Sequence, residues 1–137
     1  MEKIKKIGLT GSVTYENKIK IKEFIYNLKQ KYGSDFQIIS LGDKQGADKY
    51  VKKYALELGC NYGEMNPPHT VKNLYSVLNE SFYEKPFSPK YISIRDKIYA
   101  TTVDIAVIFD NNPTMETKIK NIFNSLKRAN KKTVVVA

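Results

Sequence analysis

The sequence predicts an α/β three-layer sandwich, with helices covering both faces of a mostly parallel five-stranded sheet. Three observations carry this. Short apolar runs alternate with longer stretches of helical period, an order that implies right-handed crossovers between parallel strands. Two runs, Asp104–Phe109 (DIAVIF) and Thr133–Val136 (TVVV), are apolar enough for buried central or near-central parallel strands. The length of 137 residues suits one domain spanning the whole chain.

Ile4–Leu9 reads as the first strand. From about Tyr15 to Tyr32, Ile21, Phe24, Ile25 and Leu28 recur at three and four, which predicts a helix with those residues inward. Gly33-Ser34-Asp35 is a stop signal, and Phe36–Ser40 (FQIIS) is the second strand. After the loop Gly42–Gly46, Ala47–Leu58 is helical with Val51, Tyr54, Ala55 and Leu58 on one face, and Gly59 closes it. Asn61–Met65 is a short third strand. The stretch 66–89 is irregular and lid-like, with four prolines, several aromatics and room for a brief helix at Val71–Leu78. Pro89–Thr102 is the next helix, and Asp104–Phe109 the clearest strand. Asn111–Thr114 opens a last helix to about Asn130, with Ile119, Ile122, Phe123 and Leu126 inward, before the strand Thr133–Val136.

Composition sets the partner classes. Lysine and arginine total 23 against 14 acidic residues, a net charge of +9 that favours phosphate-bearing partners. Many of these lysines, such as Lys18, Lys22 and Lys29, also suit the solvated face of an amphipathic helix. No apolar run is long enough for a membrane span, and no signal peptide is visible, so a cytoplasmic protein without membrane contact is expected. One cysteine (Cys60) and one histidine (His69) leave no metal-ligand set, and no metal or cofactor is expected. Cys60 reads as a packed, inert thiol and His69 as an exposed loop residue.

In open parallel sheets, ligands sit beyond the carboxyl ends of the strands. Three turns there have anion chemistry: Thr10-Gly11-Ser12, Gly42-Asp43-Lys44-Gln45-Gly46, and Asn112-Pro113-Thr114. Glycine lets a phosphate approach the backbone, and helix N-terminal N–H groups point at it. Gly11, Ser12, Gly42, Asp43, Gly46, Asp48, Asn112 and Thr114 are therefore the candidate ligand-binding residues, although turn and capping chemistry accounts for each alone. Neither a GxGxxG fingerprint nor a GxxxxGK[ST] loop is present, which disfavours dinucleotide and ATPase chemistry. Tyr75, Phe82, Tyr83 and Tyr91 either stack a base or pack.

Four segments carry a family resemblance: IGLTGS at Ile7–Ser12, IISLGDKQGAD at Ile38–Asp48, the pair Arg95-Asp96, and DIAVIFDNNPTMETK at Asp104–Lys118. Together they resemble the SLOG superfamily, the Rossmann-like group that unites DNA-processing protein A with the Lonely Guy proteins, and within it the small YspA-type members. The resemblance implies a Rossmann-like fold, often dimeric, that binds a nucleotide or nucleotide derivative as a sensor or sequestering module. It also implies an alternative. Lonely Guy enzymes cleave the N-glycosidic bond of nucleoside monophosphates with an Arg and a Glu at positions like those of Arg95 and Glu116, here the candidate catalytic pair. Two departures stand out: Val13 takes a place where the family often has Arg, which removes one expected phosphate contact, and Asn111–Thr114 replaces a glycine-rich loop, which weighs against turnover. A second alternative, a single-stranded nucleic-acid binder, draws on the basic balance, but no strand interleaves aromatics with lysines.

Overall fold

The structure, a computed structural model, describes residues 5–112 and 114–137. The expected strand start at Ile4 and Pro113 of the third turn lie outside the described residues. The elements are β1 (Lys5–Gly11), α1 (Lys18–Tyr32), β2 (Phe36–Ser40), α2 (Ala47–Glu57), β3 (Asn61–Glu64), α3 (Pro89–Thr102), β4 (Ile105–Phe109), α4 (Thr117–Arg128) and β5 (Lys132–Val136). All five strands are parallel, in the order β3-β2-β1-β4-β5.

Alternation along the strands divides the core. Leu9, Ile38, Val107 and Phe109 point to one face, where Ile21 and Ile25 of α1 and Val51 and Ala55 of α2 cover them. Ile39, Ala106 and Ile108 point to the other, under Tyr99 of α3 and Ile119, Ile122 and Leu126 of α4. The helical periods in the sequence thus mark the inward faces.

Four expectations are corrected. The strand β5 lies at the sheet edge rather than near its centre, with Val134 40% and Val135 42% exposed. α1 starts three residues after Tyr15, at Lys18, because Asn17 caps it by accepting from the Lys20 N–H at 3.2 Å. Tyr15 is instead buried, its ring 5.6 Å from that of Phe109. α4 starts at Thr117 rather than at Thr114.

The fourth correction concerns Val71–Leu78, which is not helical. The backbone of Glu64 donates to Tyr75 O at 2.9 Å and accepts from the Val77 N–H at 3.0 Å, so this segment extends the sheet edge beside β3. The wider stretch is tied down: Asn66 donates to Thr70 Oγ1 and Val71 O, and the Glu84 and Lys85 N–H groups reach Thr70 O and Pro68 O. Among the described residues, no helix is long and apolar enough to cross a membrane.

Candidate functional site

The chain runs outward from β1 to β2 and β3, then returns to β4 on the other side of β1, so strand order reverses between β1 and β4. At that point the Ser12 N–H donates to Phe109 O at 3.0 Å, and Ser12 O accepts from the Ala47 N–H at 3.0 Å. The three turns are locked to one another. Gly46 has φ +70°, and a Cβ there would collide with Ser12 O and the Val13 backbone; at Gly11 it would meet Phe109 O and the Ala47 methyl. A Cβ at Gly42 would lie 2.7 Å from Asn66 Cβ. Close packing between chain segments therefore already requires these glycines.

The hydroxyls and carboxylates of this corner are equally engaged. Ser12 is fully buried and donates to Glu116 Oε1 at 2.7 Å. Thr14 and Asn112 bond the same pair at 2.8–3.4 Å. Glu116 is the N-terminal cap residue of α4, yet its side chain makes no capping bond, because the carboxylate is turned to Ser12. The Asn112 N–H is held by Asp110 Oδ1 at 3.1 Å. Thr114 is exposed.

From the second residue of α4, Lys118 reaches across the corner. Its Nζ donates to Gly11 O and Asp48 Oδ2, each at 2.8 Å, and pairs with Asp43. Asp48, 1% exposed, accepts from Thr10 Oγ1 at 2.7 Å through its other oxygen. Burial pushes the Asp48 carboxyl above its ordinary value, with the Lys118 charge opposing that rise. For Lys118, burial pulls the ammonium down, but the charges of Asp48 and Asp43 outweigh it and hold it above its ordinary value. Sequence reasoning missed Lys118, which looks like an ordinary charge on an amphipathic helix. The signal was Asp48, an acid at an inward-facing helix start that needs a cation.

Arg95 is buried on α3. Its Nε donates to Asp96 at 3.1 Å, and Nη1 donates to Leu41 O at 3.3 Å and Met65 O at 3.1 Å, tying the ends of β2 and β3 to the helix. Burial raises the Asp96 carboxyl, against the pull of the Arg95 charge. Arg95 and Glu116 thus have separate partners, and no bond joins them.

Two hollows open beside this corner. A cleft of about 620 Å³ lies between α3 and α4, lined by Phe87, Ile92, Arg95, Asn121, Asn124 and Arg128 among others. The second, about 960 Å³, lies between α2 and the segment after β3, and Lys44, Lys49, Lys52 and Lys72 line it. The two meet at Asp43, Pro67 and His69, which line both. Of the sequence-predicted site residues, Asp43 lines both hollows, Gly42 the second and Arg95 the first; Gly11, Ser12, Gly46, Asp48, Asn112, Thr114 and Glu116 line neither. Glu64 was missed as well. This buried carboxylate accepts from Tyr62 at 2.9 Å and Asn73 at 2.7 Å and pairs with Lys52 at 3.2 Å, which fixes the floor of the second hollow.

The remaining candidates have quieter positions. His69 is exposed, its ring 5.1 Å from that of Phe87. Burial pushes the half-buried Cys60 thiol up, away from nucleophilic thiolate chemistry. Tyr83 is buried in the core, and Tyr75 packs edge-on to Tyr62 at 5.7 Å. Among the described residues, no group of three His, Cys, Asp or Glu side chains could hold a metal ion.

No protein-family model matches this sequence, and no curated protein is similar to it in sequence. Likeness appears at the level of structure. The molybdenum cofactor carrier protein of Chlamydomonas reinhardtii is similar, with a TM-score of 0.62 at 19% identity over 98% of this chain and 76% of that one. A second structure of that carrier gives a TM-score of 0.58 at 20% identity, with the same coverage of both chains. The fold is Rossmann-like. At such identities the likeness is one of fold.

Proposed function

We propose that this chain binds a nucleotide or nucleotide derivative at the C-terminal edge of its sheet and acts by holding it, as a sensor, carrier or sequestering module of the SLOG type. The observation that carries the reading is the pair of hollows meeting at Asp43, Pro67 and His69, one partly apolar and one rich in lysine. Concave sites with an apolar wall and a few polar groups are where small molecules bind, and the strand-order reversal is where such sites form in open parallel sheets. Within it, Asp43 and Arg95 border the ligand, while Asp48 and Thr10 position Lys118. The structurally similar protein is named as a carrier of a cofactor, and retaining a small molecule is the role proposed here.

The glycosidase reading would need Arg95 and Glu116 on one ligand. Arg95 lines the α3–α4 cleft, whereas Glu116 is bonded to Ser12 and Asn112. Holding without turnover is the better-supported function. A homodimer, which the superfamily resemblance implies, belongs to the same proposal.

A thermal-shift series against nucleoside mono- and diphosphates, NAD, ADP-ribose and the molybdenum cofactor tests it. A bound ligand at a hundredfold excess over Kd adds about 2.7 kcal/mol, a rise of about 10 °C for a chain of this size. A selective shift with no product formed is the expected result. The absence of a shift with every compound in the series overturns the proposal.

A further inference from the structure

Resting on that reading, we infer that the lysine hollow is the phosphate subsite, that the α3–α4 cleft takes the planar end of the ligand, and that the ligand is a nucleoside di- or triphosphate rather than a monophosphate. The charges within the hollow are unbalanced. Its lysines come from two sides: Lys44, Lys49 and Lys52 from the β2–α2 loop and α2, and Lys72 from the segment after β3. Its two carboxylates are already paired, Glu64 with Lys52 and Asp43 with Lys118. Lys44, Lys49 and Lys72 have no ion pair among the described residues. Three unpaired ammonium groups around one hollow repel one another and attract a multiply charged anion. A diphosphate presents more oxygens and more charge to them than a monophosphate does.

The adjoining cleft has fewer cations without an ion pair among the described residues: Arg95 is paired with Asp96 and Lys118 with Asp43 and Asp48, which leaves Arg128. Phe87, Ile92 and Pro89 give it an apolar wall, and the amides of Asn121 and Asn124 offer both donors and acceptors, as the polar edge of a base requires. Because Asp43, Pro67 and His69 border both spaces, a single ligand spans them with its sugar at that boundary. The phosphates then lie away from the Ser12 turn, whose hydroxyl is committed to Glu116.

Calorimetric titration of the native chain with the four common nucleoside diphosphates, their monophosphates and inorganic pyrophosphate tests the assignment. One diphosphate is expected to bind at least about tenfold more tightly than its monophosphate, with pyrophosphate competing. The variant K49Q/K72Q, altered only at exposed side chains, should lose about tenfold or more for the diphosphate and less for the monophosphate, which brings less charge to the hollow, with an unchanged melting temperature. If nucleotides bind but di- and monophosphates are equal, or the lysine variant is unaffected, the subsite falls while the small-molecule reading stands. If no compound binds, both fall. Lysine-dependent retention of single-stranded DNA without any nucleotide binding also overturns it, in favour of a polymer groove.

Discussion

The corner where β1, β2 and β4 end and the trough beside it are both polar, but their polar groups have different partners. In the corner, Ser12, Asp48, Glu116 and Lys118 bond one another across as many as 104 residues of sequence, and its glycines are filled by neighbouring backbone. In the trough, Lys44, Lys49 and Lys72 carry no ion pair among the described residues and face open space. Polar groups satisfied within the chain hold the fold, and those left without partners are available to a ligand. The corner is therefore scaffold, and the trough is the candidate site.

If that division is right, the largest loss of stability comes from the corner's buried cation. Lys118→Met leaves Asp48 buried beside Asp43 without its counter-charge and should cost about 3–5 kcal/mol in urea unfolding. Adding Asp48→Asn should return much of that, with a coupling of about 1–3 kcal/mol. Strictly additive losses would show that the pair does not act as a unit.

Next comes the packing of the glycines. Gly33 and Gly46 have similar backbones, φ 63°, ψ −122° and φ 70°, ψ −142°. A Cβ at Gly33 meets nothing within 4 Å, whereas at Gly46 it strikes the Ser12 and Val13 backbone. Alanine at Gly33 should cost about 1–2 kcal/mol from backbone strain, and at Gly46 about 2 kcal/mol more. Equal losses in thermal unfolding would mean that Gly46 leaves space for something other than the chain.

Titration gives a smaller effect with a definite sign. The folded-state pKa of Lys118 lies above its ordinary 10.5, so the native state holds that proton more tightly than the unfolded chain. The stability advantage of the native protein over Lys118→Met is thus complete below pH 10.5 and shrinks as the pH rises through the folded value. Asp48 is also raised, from 3.8, so native stability relative to Asp48→Asn should grow as the pH falls from neutral toward 3.8. Unfolding curves across both ranges check the two signs. A difference that stays flat over both contradicts the buried pairing.

The smallest stability effect belongs to the trough. Lys49→Gln and Lys72→Gln should change unfolding free energy by no more than about 1 kcal/mol, since neither side chain has an ion pair among the described residues and Lys49 gives up only its exposed contact over the Tyr50 ring at 5.5 Å. Losses of about 2 kcal/mol or more would place these lysines with the scaffold and erase the contrast.

Local pattern made most of the fold legible. The periods through Ile21–Leu28, Val51–Ala55 and Ile119–Leu126 mark the buried helix faces, and DIAVIF marks β4. The edge position of β5 was not legible, because a run of valines reads alike at an edge and in the centre, and sheet order is not written locally. Val71–Leu78 has a helical period too, yet Asn73 turns the chain by accepting from the Tyr75 N–H at 2.8 Å, and the free side of β3 then captures Tyr75 and Val77. In the site, sequence singled out Ser12, Asp48 and Glu116 as polar residues at the right sheet edge. Their partners lie far off in sequence, so their commitment to one another emerges only when the chain is folded. Of the trough lysines, Lys44 alone sits in a segment that the sequence singled out; Lys49, Lys52 and Lys72 join it only by convergence in the fold.

Chemical-shift mapping separates corner from trough residue by residue. An isotopically labelled chain titrated with the diphosphate selected by calorimetry should show its largest amide changes at Lys49, His69, Lys72, Asn121 and Asn124, with Ser12, Asp48 and Glu116 nearly still. Changes centred on Ser12, Asn112 and Thr114, with the lysine hollow silent, would contradict the assignment of corner as scaffold and trough as site.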